Sequence, residues 1–266
     1  MTVRDTLQTW RTLADANSKP STREYHGELV QIFERQFPAL DSAPAEVSTA
    51  TAADFVQRIG HYSGSRFNAL LHTLKSVCPH LPPMPTRRVT PKEVTLPSQA
   101  EFTALLAELD RSVHGCPGLV VRFLAFTGLR INEARQVRWM DVRADCIQAP
   151  ASITKNGRPR RIPMVNGLAE CVDQLKAVEP ARDTVLPVAS CRMALANACR
   201  RIGFPKLTHH DLRRLYATRC IESGVDLPTA SRWLGHQDGG ALLAKTYFHL
   251  ADRHSLEMAK LVKIAA

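Results

Sequence analysis

The sequence predicts a mainly α-helical protein with a small antiparallel β-sheet, arranged as two domains. Three observations carry this. Apolar residues recur at helical spacing through most of the 266 residues. Residues 140–164 change character, with Val142, Ile147, Ile153 and Ile162 in short strand-like runs around the hairpin pair Asn156-Gly157. Six prolines from Pro79 to Pro97 separate a helical first third from the rest, and prolines at that density forbid a helix.

The elements follow in chain order. Residues 5–16 and 21–36 carry helical spacing, the second ending before Phe37-Pro38. After a polar, alanine-rich stretch, Thr51 with Asp54 marks a helix start that runs through Phe55, Val56 and Ile59. Ser63 or Ser65 caps a further helix whose apolar stripe is Phe67, Leu70, Leu71, Leu74 and Val77. These form a first, all-α domain over 1–83. Residues 84–97 form a basic, proline-rich connector with Arg87, Arg88 and Lys92, suited to lie along a phosphate backbone or simply to stay solvated. The second domain, 98–266, opens with a helix from Ser98, then an apolar helix that stops at Thr127-Gly128. A short helix from near Leu129 to about Trp139 comes next, then the strand region. Helical spacing returns at 167–178, 190–202, 208–222, 227–234, 241–249 and 253–263.

Composition narrows the function. The net charge is +10 and the pI is near 9.6, which suits a polyanionic partner. Residues 1–100 hold 11 Lys/Arg against 9 Asp/Glu, and residues 101–266 hold 24 against 16, so the tighter phosphate contacts belong to the second half. Aromatics at 6% argue against a sheet that stacks single-stranded bases. The seven cysteines are scattered without a C-x-x-C pair, a pattern of reduced thiols and not of disulfides or zinc. The amino terminus has no apolar leader, and no run approaches the roughly 20 residues of a membrane span. The expected setting is the cytoplasm, in association with the nucleoid, with no membrane partner.

Three segments hold groups suited to breaking a phosphodiester. That reaction needs a nucleophile in line with phosphorus, donors for the non-bridging oxygens and an acid for the departing 5′ oxygen. In FLAFTGLRINEARQVRW, Arg130 follows a turn at the start of a helix, and Glu133 three residues on is placed to hold its guanidinium. An isolated R-x-x-E is ordinarily a surface ion pair. In LTHHDLRRLYATRCIESGVDL, Thr208 caps a helix that projects His210 and Arg213 from one side, while Leu212, Leu215 and Tyr216 face the core. In SRWLGHQDGGALLAKTYFHL, Gly235 ends a helix, His236 sits on the following turn, and Tyr247 lies 11 residues further, in a short helix with Leu242, Leu243 and Phe248. Alone, each segment is weak; a tyrosine there is by default a half-buried aromatic.

In this order the three segments resemble the two arginine boxes and terminal tyrosine of the tyrosine recombinase (phage integrase) family, over about residues 98–250. The resemblance implies a helical, SAM-like core-binding domain and an α+β catalytic domain that close around double-stranded DNA. It implies cleavage and rejoining through a 3′-phosphotyrosine at Tyr247, with Arg130 and Arg213 clamping the phosphate. His210 would assist proton transfer and His236 would hydrogen-bond the phosphate. The family's lysine on the small sheet matches Lys155 in SITKNGRPRRIPM, where Arg158, Arg160 and Arg161 are further candidates for backbone phosphates. A hairpin lysine is otherwise most often solvated. The implied assembly is a homotetramer on two DNA sites, with room for accessory DNA-bending proteins and no cofactor, ATP or metal. The tail at 251–264 would dock on a neighbouring protomer or fold back on its own domain. Two departures stand out: the His236-to-Tyr247 gap is about two residues longer than the commonest family spacing, and His209, taken as a surface residue, adjoins His210. Two rivals remain: a type IB topoisomerase, and a DNA-binding protein that has lost catalysis.

Overall fold

The computed structural model describes residues 1–90, 94–112, 115–165, 167–236, 240, 241 and 244. The described residues are mainly helical with a two-stranded antiparallel sheet, and the chain divides into compact units at 1–93 and 94–266.

The first unit holds α1 (Val3–Asp15), α2 (Pro20–Gln36), α3 (Thr49–Arg58) and α4 (Gly64–Val77). Each start has a local cause. Thr2 and Asp5 cap α1 reciprocally, and Pro20 opens α2, where its missing N–H costs nothing. The cap of α3 is Ser48, whose hydroxyl accepts from the N–H of Thr51, three residues before the expected start. Phe33, Phe37 and Phe55 meet with ring centroids 4.8–5.3 Å apart at the centre of this unit's core.

The expected connector begins on this unit and is partly fixed to it. Asn68 and Arg87 exchange hydrogen bonds of 2.8 and 2.9 Å, and the Arg87 guanidinium lies 4.0 Å from the Phe67 ring centroid. Arg87 is therefore held against α4 by a cation–π contact, not extended as a free strap. Arg88 is exposed, and Lys92 lies outside the described residues.

The second unit contains α5 (Gln99–Asp110), α6 (Pro117–Thr127), α7 (Ile131–Ala134), β1 (Cys146–Ala149), β2 (Arg160–Pro163), α8 (Leu168–Val178), α9 (Arg192–Arg201), α10 (His209–Glu222) and α11 (Leu227–Leu234). The apolar α6 is its centre, packed against α5, α8 and α10. Val120, Phe123 and Leu124 meet Leu105, Leu168, Leu212 and Leu215 in the core. A smaller cluster of Tyr216, Cys220, Ile221, Ala230 and Leu234 joins α10 to α11. All seven cysteines are unpaired, six of them buried. Among the described residues no helix is long and apolar enough to cross a membrane.

Two local expectations are corrected. The helix expected to run to about Trp139 is one turn, because the chain leaves it to pair with a later segment. Arg138 bridges Thr184, and the Val185 N–H donates to Val137 O at 2.9 Å. The helix-dipole contribution at Arg130 is correspondingly small. The strands also pair Ala149 with Arg160, so the connection is ten residues long and Asn156-Gly157 is not a two-residue hairpin turn. Pro150 and Pro159 flank it, and neither has an N–H with which to extend the ladder. Gly157 instead serves a local turn at φ 68°, its N–H donating to Thr154 O. Val142 makes one bridge to Ile147, and Ile153 lies in a turn.

Candidate active site

The site is built from the end of α6 outward. Gly128 ends α6 at φ 61°, a left-handed conformation that favours glycine. A Cβ there would lie 2.5 Å from the Tyr216 ring and 2.9 Å from Leu234. Close packing of α6, α10 and α11 therefore requires glycine, and the chain emerges from that contact directly into Leu129 and Arg130.

Arg130 is braced as its spacing predicts. Its NH1 donates to Glu133 Oε1 at 3.0 Å and its backbone N–H to Glu133 Oε2 at 3.0 Å. Glu133 is nearly fully buried, with 3% of its side chain exposed, while Arg130 keeps 31%. A second arginine reaches the same carboxylate: Arg160 NH2 donates to Oε2 at 2.5 Å. Burial pushes the Glu133 carboxyl up, but the hydrogen bond and charge of Arg160, with those of Arg130, hold it below the ordinary range.

Arg213 comes from the buried face of α10. NH1 donates to Gly128 O at 2.7 Å, and NH2 donates to Leu234 O at 2.6 Å and meets His236 Nε2 at 2.9 Å. Arginine has no lone pair to offer, so Nε2 is the acceptor and the His236 ring carries its proton on Nδ1. One guanidinium thus ties the residue two before Arg130 to the turn that presents His236.

His210 lies one turn before Arg213 on α10, at the exposed edge of the site. Crowding by protein atoms, then the charges of Arg214, Arg213 and Arg130 against the opposing Asp211, lower its pKa from the ordinary histidine value. His210 is accordingly neutral at pH 7. His209, expected at the surface, is half-buried with Nε2 3.4 Å from Cys191 Sγ.

Lys155 is exposed on the connection between the strands, and its backbone N–H donates to Glu133 Oε1 at 3.4 Å. The same connection is tied to the other side of the site by Asn156, whose Nδ2 donates to Gly235 O at 3.3 Å. Of the basic residues after Lys155, Arg158 is exposed, and Arg161 pairs with Asp145 at 2.7 Å. Arg160 departs from the expectation of a surface phosphate contact. It is buried because it shares the inward face of β2 with the core residue Ile162. That face was legible from strand alternation alone. A groove of about 1000 Å³ beside the strands and α11 is lined in part by Arg158, Arg160, Arg161, Ser231, Arg232 and His236.

The structure therefore brings together Arg130, Glu133, the Lys155 loop, His210, Arg213 and His236 from four separate stretches of chain. Tyr247, its neighbours Leu242, Leu243 and Phe248, and the 251–264 tail lie outside the described residues. Among the described residues no cluster of His, Cys, Asp and Glu is arranged to hold a metal ion.

Comparison with known proteins identifies the family. The profile of the phage integrase family matches residues 98–254, and the chain belongs to that family. Tyrosine recombinase XerD of Neisseria meningitidis is 27% identical over 194 residues, covering 63% of this chain and 64% of the relative. The match thus spans a little under two thirds of that relative's length. The fold is shared with the Tn1549 transposon integrase, solved in complex with a circular intermediate DNA, at a TM-score of 0.76 and 15% identity over 98% of this chain and all of the other. A lambda integrase, solved as a tetramer bound to a Holliday junction, aligns at a TM-score of 0.70 and 18% identity over 91% of this chain and 79% of its own.

Proposed function

We propose that the chain is a site-specific recombinase that cuts and rejoins duplex DNA through a covalent 3′-phosphotyrosine at Tyr247. The observation that carries this reading is the meeting of Arg213 with His236 and with the turn leading to Arg130. Two guanidiniums on one phosphate neutralise the charge that grows on its non-bridging oxygens as the phenol attacks. Neutral His210 accepts a proton from the phenol, whose ordinary pKa of about 10 leaves it protonated in the cell. His236 donates a hydrogen bond to the phosphate. Lys155 protonates the departing 5′ oxygen. The phosphotyrosine keeps the bond energy for rejoining, so the cycle has no step for ATP.

The first unit acts as the SAM-like core-binding domain and binds the same duplex as the catalytic unit. Arg88, Lys92, Arg158 and Arg161 contact backbone phosphates, where they add affinity without reading bases. Four protomers on two DNA sites would exchange strands, an assembly supported by the lambda integrase tetramer on its junction.

The test is to incubate the chain with a pool of nicked duplexes randomised around the nick. Denaturant-resistant protein–DNA adducts are recovered and their DNA is sequenced. A shared site among the recovered DNAs is expected; no adduct from any duplex would leave a binding protein without strand transfer. With a recovered duplex, Lys155→Ala should slow adduct formation by about 10²–10⁴-fold, the usual worth of a positioned acid. A 5′-phosphorothiolate leaving group, which departs without a proton, should restore most of the rate. If that substrate is slowed just as much, another group is the acid.

A further inference from the structure

We propose that Arg160 is a positioning residue of this site: a buried counter-ion to Glu133 that leaves Arg130 with its charge to offer the phosphate. The inference rests on the strand-transfer function proposed above. Arg130 and Glu133 alone make a neutral pair, which attracts an anion weakly. Adding Arg160 to the same carboxylate gives the trio a net charge of +1, and the exposed member of the trio is Arg130.

The geometry fits this division of labour. Arg160 and Glu133 side chains are 5% and 3% exposed and are bonded to each other, whereas Arg130 on the same carboxylate keeps 31% of its side chain exposed. Arg160 NH2 is bonded to Glu133, whereas among the described residues its buried Nε and NH1 have no hydrogen-bond partner. Donors left in that condition are costly, and for packing alone a methionine of similar length would serve better. The guanidinium also lies against the turn that carries His236. A Cβ at Gly235 would come within 2.9 Å of Arg160 NH1, and Gly235 has φ 71°, so the turn must be glycine for the arginine to fit beneath it. The same carboxylate accepts from the backbone of Lys155. One buried ion pair therefore touches the start of α7, the Lys155 connection and the His236 turn.

The deciding experiment compares single-turnover adduct formation by the parent chain, Arg160→Met, Glu133→Gln, the double variant and Arg160→Lys, using a duplex recovered from the nicked pool. Arg160→Met makes the trio neutral and should slow the reaction by about 10²-fold, with DNA affinity changed less than about threefold because the exposed cations that meet the backbone phosphates are all retained. The double variant restores the net charge of +1 and should recover at least about tenfold of that loss. Arg160→Lys should stay within about tenfold of the parent. A purely structural role predicts the opposite for the double variant, which would then be as slow as Arg160→Met or slower. That result overturns the inference, as does Arg160→Met within about threefold of the parent. Where Arg160→Met does not fold, Arg160→Lys and the double variant carry the comparison. If the parent forms no adduct, the function reading has failed, and the clamp is judged on unfolding midpoints without DNA. Losses from Arg160→Met and Glu133→Gln that simply add in the double variant would overturn it; a double variant less destabilised than the sum supports it.

Discussion

Replacing Arg213 by Lys is expected to reduce single-turnover adduct formation by at least about 10²-fold while lowering DNA affinity less than about tenfold. Lysine keeps the charge, so long-range attraction to DNA survives. What it loses is the planar fork. Arg213 reaches Gly128 O, Leu234 O and His236 Nε2 with two terminal nitrogens held in one plane, and a single ammonium at the end of a flexible stem cannot occupy both positions. At 4% exposure the side chain has little water to replace a missing partner. The carbonyl that ends α6 or the one that ends α11 would go unsatisfied, at about 1–3 kcal/mol. His236 would also lose the donor that fixes its tautomer, so the phosphate would meet a ring free to present either nitrogen. Arg213→Ala should show the larger structural cost, because it leaves both carbonyls without their donor, at about 1–3 kcal/mol each. Rates on a recovered duplex and thermal unfolding without DNA separate the two effects. Arg213→Lys cleaving within a few-fold of the parent would remove this residue from the phosphate clamp.

Much of the arrangement was legible in the sequence because it depends on local rules. Thr208, Asp211 and the leucines that follow dictate where α10 begins and which face it buries, and the observed helix starts at His209 with Asp211 completing the cap. The Arg130–Glu133 brace is likewise a matter of spacing along three residues. Features set by distant segments were not legible. The turn of α7 ends early because residues 138 and 184 pair, and nothing near Trp139 announces that partner. The strands stop at Ala149 and Arg160 because prolines bound them, a constraint that outweighs the strong turn preference of Asn156-Gly157. Arg160 illustrates a different limit. In a basic run it reads as a surface cation, and only its alternation with Ile162 indicates that it points inward beside Glu133.

Replacing Tyr247 by Phe is expected to reduce adduct formation by on the order of 10⁴-fold or more, the scale of removing a covalent nucleophile, with DNA affinity unchanged within about threefold. The substitution deletes only the phenol oxygen, the proposed nucleophile, and leaves the cations that contact the phosphates in place. The chain has four tyrosines, and the other three are poor substitutes. Tyr25 and Tyr62 belong to the first unit. Tyr216 is the serious competitor, three residues after Arg213 on α10, but it is 4% exposed and its ring is wedged against Gly128. Burial drives its phenol far above the ordinary value, so it neither ionises nor meets solvent. Tyr216→Phe should therefore still form the adduct, whereas Tyr247→Phe should not. Protease digestion of the parent adduct, followed by mass spectrometry of the peptide carrying the nucleotide, reads the same assignment without a mutation: the modified peptide should contain Tyr247. A nucleotide on the Tyr216 peptide would mean that α10 opens during the reaction and supplies the nucleophile itself, and an adduct that persists in Tyr247→Phe would overturn the assignment of Tyr247.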